Sequence, residues 1–396
     1  MGAEDYRVPG FKAASTIAGI KKPEKLDLTL LYSERTAAVV GHFTTSKVKA
    51  APVVVSQENI RQGRVRAVIA NSGNANACSG EEGLLTARRS VGLVAEALGI
   101  DPTEVLVAST GVIGTPLNLG SISSAIPSLV KSLEPDGLTR AAEAIMTTDS
   151  FPKVSRYEGV AGGKPYRIVG IAKGAGMIMP NMATMLCFVM SDIEIGDAEL
   201  REASLFCVEN TFNRISVDGD TSTNDTVLVM ANGLASNGPL VPLDYEGFRS
   251  GLRQVMGELA AMIVKDGEGA TKVVRVHVRG AHSNQDALCG ARTLANSLLV
   301  KTAFYGQDPN WGRIMAALGR ADVRMRAEDV DIWVDDVQIV AGGLGSGLEA
   351  ERAAAERMRR KEFALTIDLH QGAFEEQILT CDLTHDYIKI NADYRT

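Results

Sequence analysis

The sequence predicts a mixed α/β protein built in layers, and three observations carry that prediction. Strand-like and helix-like segments alternate in pairs and not as regular βαβ units, which disfavours a Rossmann fold or a barrel. With 396 residues and 45% hydrophobic content, the chain can bury a core sufficient for two or three domains. No internal repeat or low-complexity linker interrupts it, and the expected boundary lies near Gly280, giving a main domain over residues 1–280 and a smaller α+β domain over 281–396.

Charge narrows the function classes. The net charge of −7 comes from residues of both signs, with no basic run beyond the helical region 352–361, so neither nucleic acid nor an anionic membrane is expected as a partner. Residues 105–130 and 174–191 are uncharged and long enough to suggest membrane spans, but Gly, Pro, Ser and Asn break both. The amino terminus, Met1-Gly2-Ala3-Glu4-Asp5, has no export pattern, and the expected location is the cytoplasm. Five scattered cysteines without a Cys-x-x-Cys pair read as reduced thiols, and five scattered histidines show no metal-ligand spacing, so no metal is expected.

Along the chain, residues 27–32, 37–43 and 65–70 read as strands, the last ending in Asn71-Ser72-Gly73-Asn74-Ala75-Asn76. Ser79 is placed to cap a helix that carries Glu81 and Glu82 at its positive end and stops at Gly99. A short strand, 104–109, runs into Thr110-Gly111-Val112-Ile113-Gly114, a turn whose glycines leave backbone N–H groups unshielded. Residues 119–145 are helical with breaks, 146–153 a polar loop closed by Pro152, 166–171 and 184–191 strands, and 199–212 a helix. Strands at 214–217 and 226–231 flank the acidic run 218–225, which lacks the glycine and glutamate of a calcium loop and reads as a self-capped turn. A long helix over 245–264 precedes Asp266-Gly267-Glu268-Gly269-Ala270-Thr271-Lys272, whose spacing is not that of a P-loop. Then come a strand at 273–279, a helix at 286–299, a strand at 301–305, the turn 306–312, a helix at 349–359 and a β-rich close over 363–390.

One stretch organises the chemistry. Lys173-Gly174-Ala175-Gly176 is a flexible approach, Pro180-Asn181 a turn, and an apolar strand opens at Thr184. Locally, Thr184 reads either as a strand residue with its hydroxyl bonded to the turn, or as a rigidly held nucleophile. No histidine lies near it in sequence to take its proton. Cleavage of Ala183-Thr184 would supply one base, a free α-amino group whose pKa of about 8 lies close to working pH. The same hydroxyl can make that cut by an N-to-O acyl shift, with a strained turn assisting.

The segment Lys173-Gly174-Ala175-Gly176-Met177-Ile178 through Met182-Ala183-Thr184-Met185-Leu186 resembles the self-cleavage segment of the ornithine acetyltransferase family, bifunctional glutamate N-acetyltransferases of arginine biosynthesis. Five further motifs follow the family's order: Ala-Asn-Ser-Gly-Asn-Ala-Asn-Ala-Cys from Ala70, Ser-Thr-Gly-Val-Ile-Gly from Ser109, Met-Thr-Thr-Asp from Met146, Asp-Gly-Glu-Gly-Ala-Thr-Lys from Asp266 and Asp-Pro-Asn-Trp-Gly-Arg from Asp308.

The resemblance implies a four-layer αββα sandwich related to N-terminal nucleophile folds, with a smaller C-terminal domain whose terminus returns to the site. It implies self-cleavage into residues 1–183 and 184–396, assembled as an α2β2 heterotetramer. Thr184 would accept the acetyl group, with Thr110 and Gly111 as the oxyanion hole. Thr147, Lys173, Thr184, Glu268, Asn391 and Thr396 would bind substrate. The reaction implied is ping-pong transfer from N2-acetyl-L-ornithine to L-glutamate without a cofactor, some members also accepting acetyl-CoA. On local pattern alone Lys173 and Glu268 are solvated turn charges, Thr147 a loop cap, and Asn391 and Thr396 a frayed terminus. Asn71, Asn74 and Asn310 read as loop braces. The rival readings are a self-processing N-terminal-threonine aminopeptidase or amidase, and an uncleaved small-molecule-binding protein.

Overall fold

The computed structural model describes residues 5–21, 25–179 and 185–393. Two compact units account for them, one drawing on Met1–Asn213 and Asp220–Ile263, the other on Arg214–Gly219 and Val264–Arg395.

The first unit contains, in chain order, β1 (Phe11–Thr16), β2 (Leu28–Phe43), α1 (Ala51–Asn59), β3 (Arg64–Asn74), α2 (Gly80–Leu98), β4 (Val105–Val112), α3 (Leu119–Lys131), α4 (Leu138–Ala144), β5 (Lys153–Ala161), β6 (Lys164–Lys173), β7 (Leu186–Ser191) and α5 (Asp197–Asn210). After β8 (Ile215–Ser216), which pairs in the other unit's sheet, it is completed by β9 (Thr226–Ala231) and most of α6 (Pro242–Lys265). Its strands form one sheet in the order β4-β3-β2-β9-β7-β6-β5, with β1 also paired to β2. The β3/β4 and β7/β9 pairs are parallel and the others antiparallel.

The sheet folds over on itself. Register sets Leu28 at the start of β2 opposite Asn71, and Phe43 at its end opposite Thr226. In a flat sheet Thr110 on β4 and Lys173 on β6 would therefore lie roughly 50 Å apart, about fifteen residues at 3.3 Å each. Their side chains instead approach to 3.4 Å. The bend falls at the register shift in β2 between Tyr32 and Ala37, a bulge that kinks and twists the strand.

Leu31, Val68 and Leu106 from one half and Ile171, Phe188 and Met230 from the other share a core with α4. The alternate residues Leu30, Ile69 and Val107 face α1, α2 and α3. On the other half, a Cβ at Gly170 would meet Val255 and Leu259 of α6 at 2.9 and 2.8 Å, and His42 Nε2 bonds Ser204 Oγ of α5 at 2.7 Å. Helix, sheet, sheet, helix is the layering the sequence resemblance implied. Burial on both faces also explains why β4 and β7 read as unbroken apolar runs.

The second unit's further elements are β10 (Val273–Ala281), α7 (Asn284–Ala295), α8 (Leu298–Gly306), α9 (Trp311–Gly319), β11 (Asp331–Val334), β12 (Val337–Ala341), β13 (Leu344–Gly345), α10 (Leu348–Met358), β14 (Glu362–Asp368), β15 (Phe374–Cys381) and α11 (His385–Asp393). Its sheet runs β13-β12-β11-β14-β10-β15-β8. The expected boundary at Gly280 falls inside β10, which pairs on one side with β14 and on the other with β15.

Other departures have local causes. Residues 301–305, expected as a strand, lie in α8, because the Ser297 hydroxyl caps the helix by accepting from Val300 N–H. A short apolar run does not separate helix from strand by periodicity, and here the cap decides. The β-rich close ends at β15, and its last residues form α11. Ser79 is the residue before α2, but its hydroxyl donates to Asn76 Oδ1 at 2.8 Å instead of capping the helix. β1, α1, β5 and α9 were not anticipated.

Candidate active site

In the first unit the folded sheet brings the end of β4, the end of β6 and the loop before β5 together. Lys173, 3% exposed, ends β6. Its ammonium donates to Thr147 Oγ1 at 2.7 Å and to Thr110 Oγ1 at 3.4 Å, and lies 3.9 Å from Asp149 Oδ2. The solvated turn charge that local pattern suggests is thus a buried cation.

Asp149 organises this corner. Its Oδ1 accepts from Lys153 Nζ and from Gly174 N–H, both at 2.7 Å, and its Oδ2 from Thr147 N–H at 3.0 Å. The Asp149 and Lys153 side chains are fully buried. Burial alone would raise the Asp149 pKa, but the charges of Lys173 and Lys153 outweigh it and hold the carboxyl at about 2. Gly174 turns away with φ +153°, a conformation that favours glycine.

Gly111 is also required by its backbone. With φ +130°, an added Cβ would sit 2.4 Å from the Gly73 carbonyl carbon, where β3 and β4 pair with a shifted register. The polar turn after β3 holds that approach in place. Asn71 Nδ2 donates to Asn74 O at 2.9 Å and Asn71 Oδ1 accepts from Ser109 Oγ at 2.6 Å, while Asn74 Nδ2 donates to Thr115 O at 3.0 Å. These asparagines brace the loops, as their residue type suggested, and Asn310 Oδ1 accepts from Arg313 N–H at the start of α9.

The start of β7 is pinned from both sides. Met185 N–H donates to Asp225 Oδ1 at 3.0 Å, and Thr226 N–H donates to Met185 O at 3.0 Å. Asn224 ties this point to the β4 end by donating from Nδ2 to Ser109 O at 2.8 Å and Ala75 O at 2.6 Å. Thr44 Oγ1 donates to Ser222 O at 2.6 Å. The acidic loop is therefore a brace, built largely from side-chain bonds such as Thr223 Oγ1 to Asn224 Oδ1 at 2.6 Å.

In the second unit, Asn391 of α11 donates to Glu268 Oε2 at 2.8 Å. The loop carrying Glu268 is fixed by Asp382, which accepts from Thr271 N–H at 2.8 Å and Lys272 N–H at 2.9 Å, and by Thr384 Oγ1 donating to Gly269 O at 2.7 Å. Ala183, Thr184 and Thr396 lie outside the described residues. Sequence reasoning assigned no role to Lys153 or Asp225. Asp149 stood in plain view in Met-Thr-Thr-Asp, but only burial beside two lysines reveals what it does. Among the described residues no cluster of His, Cys, Asp and Glu is placed to hold a metal ion, and no helix is long and apolar enough to cross a membrane.

Comparison with known proteins matches the ArgJ family model over residues 12–396. The chain belongs to the ArgJ family. The arginine biosynthesis bifunctional protein ArgJ of Geobacter sulfurreducens is 51% identical over 392 residues, covering 98% of this chain and 100% of that protein. The glutamate N-acetyltransferase of Methanocaldococcus jannaschii is 46% identical over 402 residues, covering 98% and 97%. Among solved structures, the arginine biosynthesis bifunctional protein ArgJ of Bacillus halodurans matches with a TM-score of 0.50 at 41% identity, over 52% of this chain and 98% of that one. An ArgJ-family chain is an arginine-biosynthetic one, which agrees with the resemblance read from its motifs.

Proposed function

We propose that this enzyme transfers the acetyl group of N2-acetyl-L-ornithine to L-glutamate through an acetyl ester on Thr184. The observation that carries the reading is the buried Lys173 ammonium between the hydroxyls of Thr110 and Thr147. A buried cation with neighbouring hydroxyls suits a substrate carboxylate, because charge-assisted hydrogen bonds strengthen where water is excluded.

The chain cuts itself between Ala183 and Thr184, and the new α-amino group serves as base to the Thr184 hydroxyl. That hydroxyl attacks the acetyl carbonyl of acetylornithine. Thr110 and Gly111 stabilise the resulting oxyanion, a contribution on the order of 3 kcal/mol per donor. Ornithine leaves, glutamate enters, and its amine takes the acetyl group from Thr184. Lys173 and Thr147 hold the substrate carboxylate. Glu268, Asn391 and Thr396 are further substrate-binding residues on the family resemblance, and a carboxylate such as that of Glu268 suits the ornithine ammonium. No cofactor enters these steps, acetyl-CoA is a second acetyl donor, and the two fragments assemble as α2β2 in the cytoplasm.

Incubation with N-acetylornithine and glutamate tests the reading: N-acetylglutamate and ornithine should form in equal amounts. Release of acetate without N-acetylglutamate would make the protein a hydrolase. Acetyl-CoA with glutamate, assayed the same way, tests the second donor.

A further inference from the structure

Lys21 has no place in the steps above, yet the first unit builds it into the corner where Thr147 and Lys173 meet. Its backbone is held by Asp27, a fully buried carboxylate that accepts from Ala18 N–H and Ile20 N–H at 2.6 Å and from Lys21 N–H at 2.9 Å. Its stem lies over the end of β3, where a Cβ at Gly73 would stand 2.7 Å from Lys21 Cγ. From there the ammonium donates to Met146 O at 2.5 Å and to Leu26 O at 3.1 Å.

The Met146 carbonyl and the Thr147 N–H belong to one peptide group. That peptide is gripped at both ends, the carbonyl by the Lys21 ammonium and the N–H by Asp149 Oδ2 at 3.0 Å. A cation at the oxygen and an anion at the N–H hold the peptide in one orientation, because charge-assisted hydrogen bonds are roughly twice as strong as neutral ones. Thr147 is carried by this peptide, and its hydroxyl accepts from Lys173 Nζ at 2.7 Å.

We propose that Lys21 is a positioning residue for acetyl transfer, fixing the Met146–Thr147 peptide so that the Thr147 hydroxyl and the Lys173 ammonium meet the substrate carboxylate. The role rests on the reading of Thr147 and Lys173 as the carboxylate site.

The charges around Lys21 make this grip sensitive to pH. Burial lowers its pKa from 10.5 to about 8, with the charges of Lys173 and Lys25 acting the same way and those of Asp27 and Asp149 opposing. Asp27 and Lys25 lie just ahead of β2, Asp149 in the loop before β5 and Lys173 at the end of β6, while β3 meets the stem with uncharged Gly73. As pH rises through about 8 the ammonium loses its proton, the bond to Met146 O loses its charge assistance, and the hold on Thr147 weakens.

The test compares kcat/KM for N-acetylornithine, with glutamate saturating, between wild type and Lys21→Met from about pH 6.5 to about pH 9.5. Methionine keeps an unbranched stem over Gly73 and removes the charge and the donor. At the acid end the variant should be lower by about 10-fold or more, the low end for a hydrogen bond from a charged group, with the loss in KM and not in kcat. The gap should close as pH passes about 8, because wild type then loses the same charge. Ionisation of Thr184 is common to both proteins and cancels in their ratio. A ratio near one throughout would overturn the proposal, and so would a deficit that does not change with pH, which is what a lysine serving the fold alone would give. Thermal melting shows whether Lys21→Met folds. If it does not, the wild-type profile decides alone, and a kcat/KM that fails to fall above about pH 8 overturns the proposal. Thr147→Val with an unchanged KM would sink the carboxylate reading instead, a distinct result.

Discussion

Lys173 Nζ donates to Thr147 Oγ1 at 2.7 Å, joining the end of β6 to a loop 26 residues earlier in the chain. This bond sets the position of the ammonium that we assign to the substrate carboxylate. Thr147→Val removes the hydroxyl with little change in volume. A hydrogen bond to a charged group contributes about 1.5–3 kcal/mol, so KM should rise by roughly 10- to 100-fold while the melting temperature changes little. Steady-state kinetics with N-acetylornithine would show it.

Asp149 should matter to the fold itself. Asp149→Asn removes the negative partner of two buried lysines, and breaking a buried pair this way costs about 3–5 kcal/mol, measurable by urea unfolding. The folded carboxyl sits at about 2 against an ordinary 3.8. A depressed carboxylate pKa contributes stability that is present above the unfolded value and lost as pH falls through the folded one. Wild type should therefore lose stability between about pH 4 and pH 2, and Asp149→Asn should lack that component.

Gly111→Ala tests the β3–β4 crossing. The added methyl would lie 2.4 Å from the Gly73 backbone, at a φ of +130° that alanine resists. Strain of about 1–3 kcal/mol should appear in denaturant unfolding, and acetyl transfer should fall further than stability does, because the turn must move.

His42 gives a separate pH signature. Burial, with the charge of Arg201 adding to it, lowers its pKa from 6.5 to about 4. The unfolded chain takes up the proton first, so stability falls as pH drops from about 6.5 to about 4. His42→Gln should flatten unfolding free energy across that window.

Much of this was legible in the sequence. Thr110, Gly111, Thr147 and Lys173 were nominated by motif, and the structure gathers their side chains and backbone at the end of a folded sheet. The mixed α/β class followed from how strands and helices alternate. What local pattern could not deliver was long-range. The bulge in β2 looks like two strands in sequence and is one bent strand in space, and that bend brings Thr110 to Lys173. Likewise the second sheet begins with a pairing of β10 to strands some ninety residues later, which no window around Gly280 reveals. Asp225 read as a turn residue because burial, not composition, distinguishes it.

The central claim is an acetyl ester on an amino-terminal Thr184. It is tested most directly by intact mass and amino-terminal sequencing of the purified protein, after incubation with N-acetylornithine and no acceptor. Two fragments are predicted, residues 1–183 and 184–396, the second beginning at Thr184 and heavier by one acetyl group that glutamate removes. A single full-length chain, or a second fragment that never gains the acetyl group while N-acetylglutamate still forms, would contradict it.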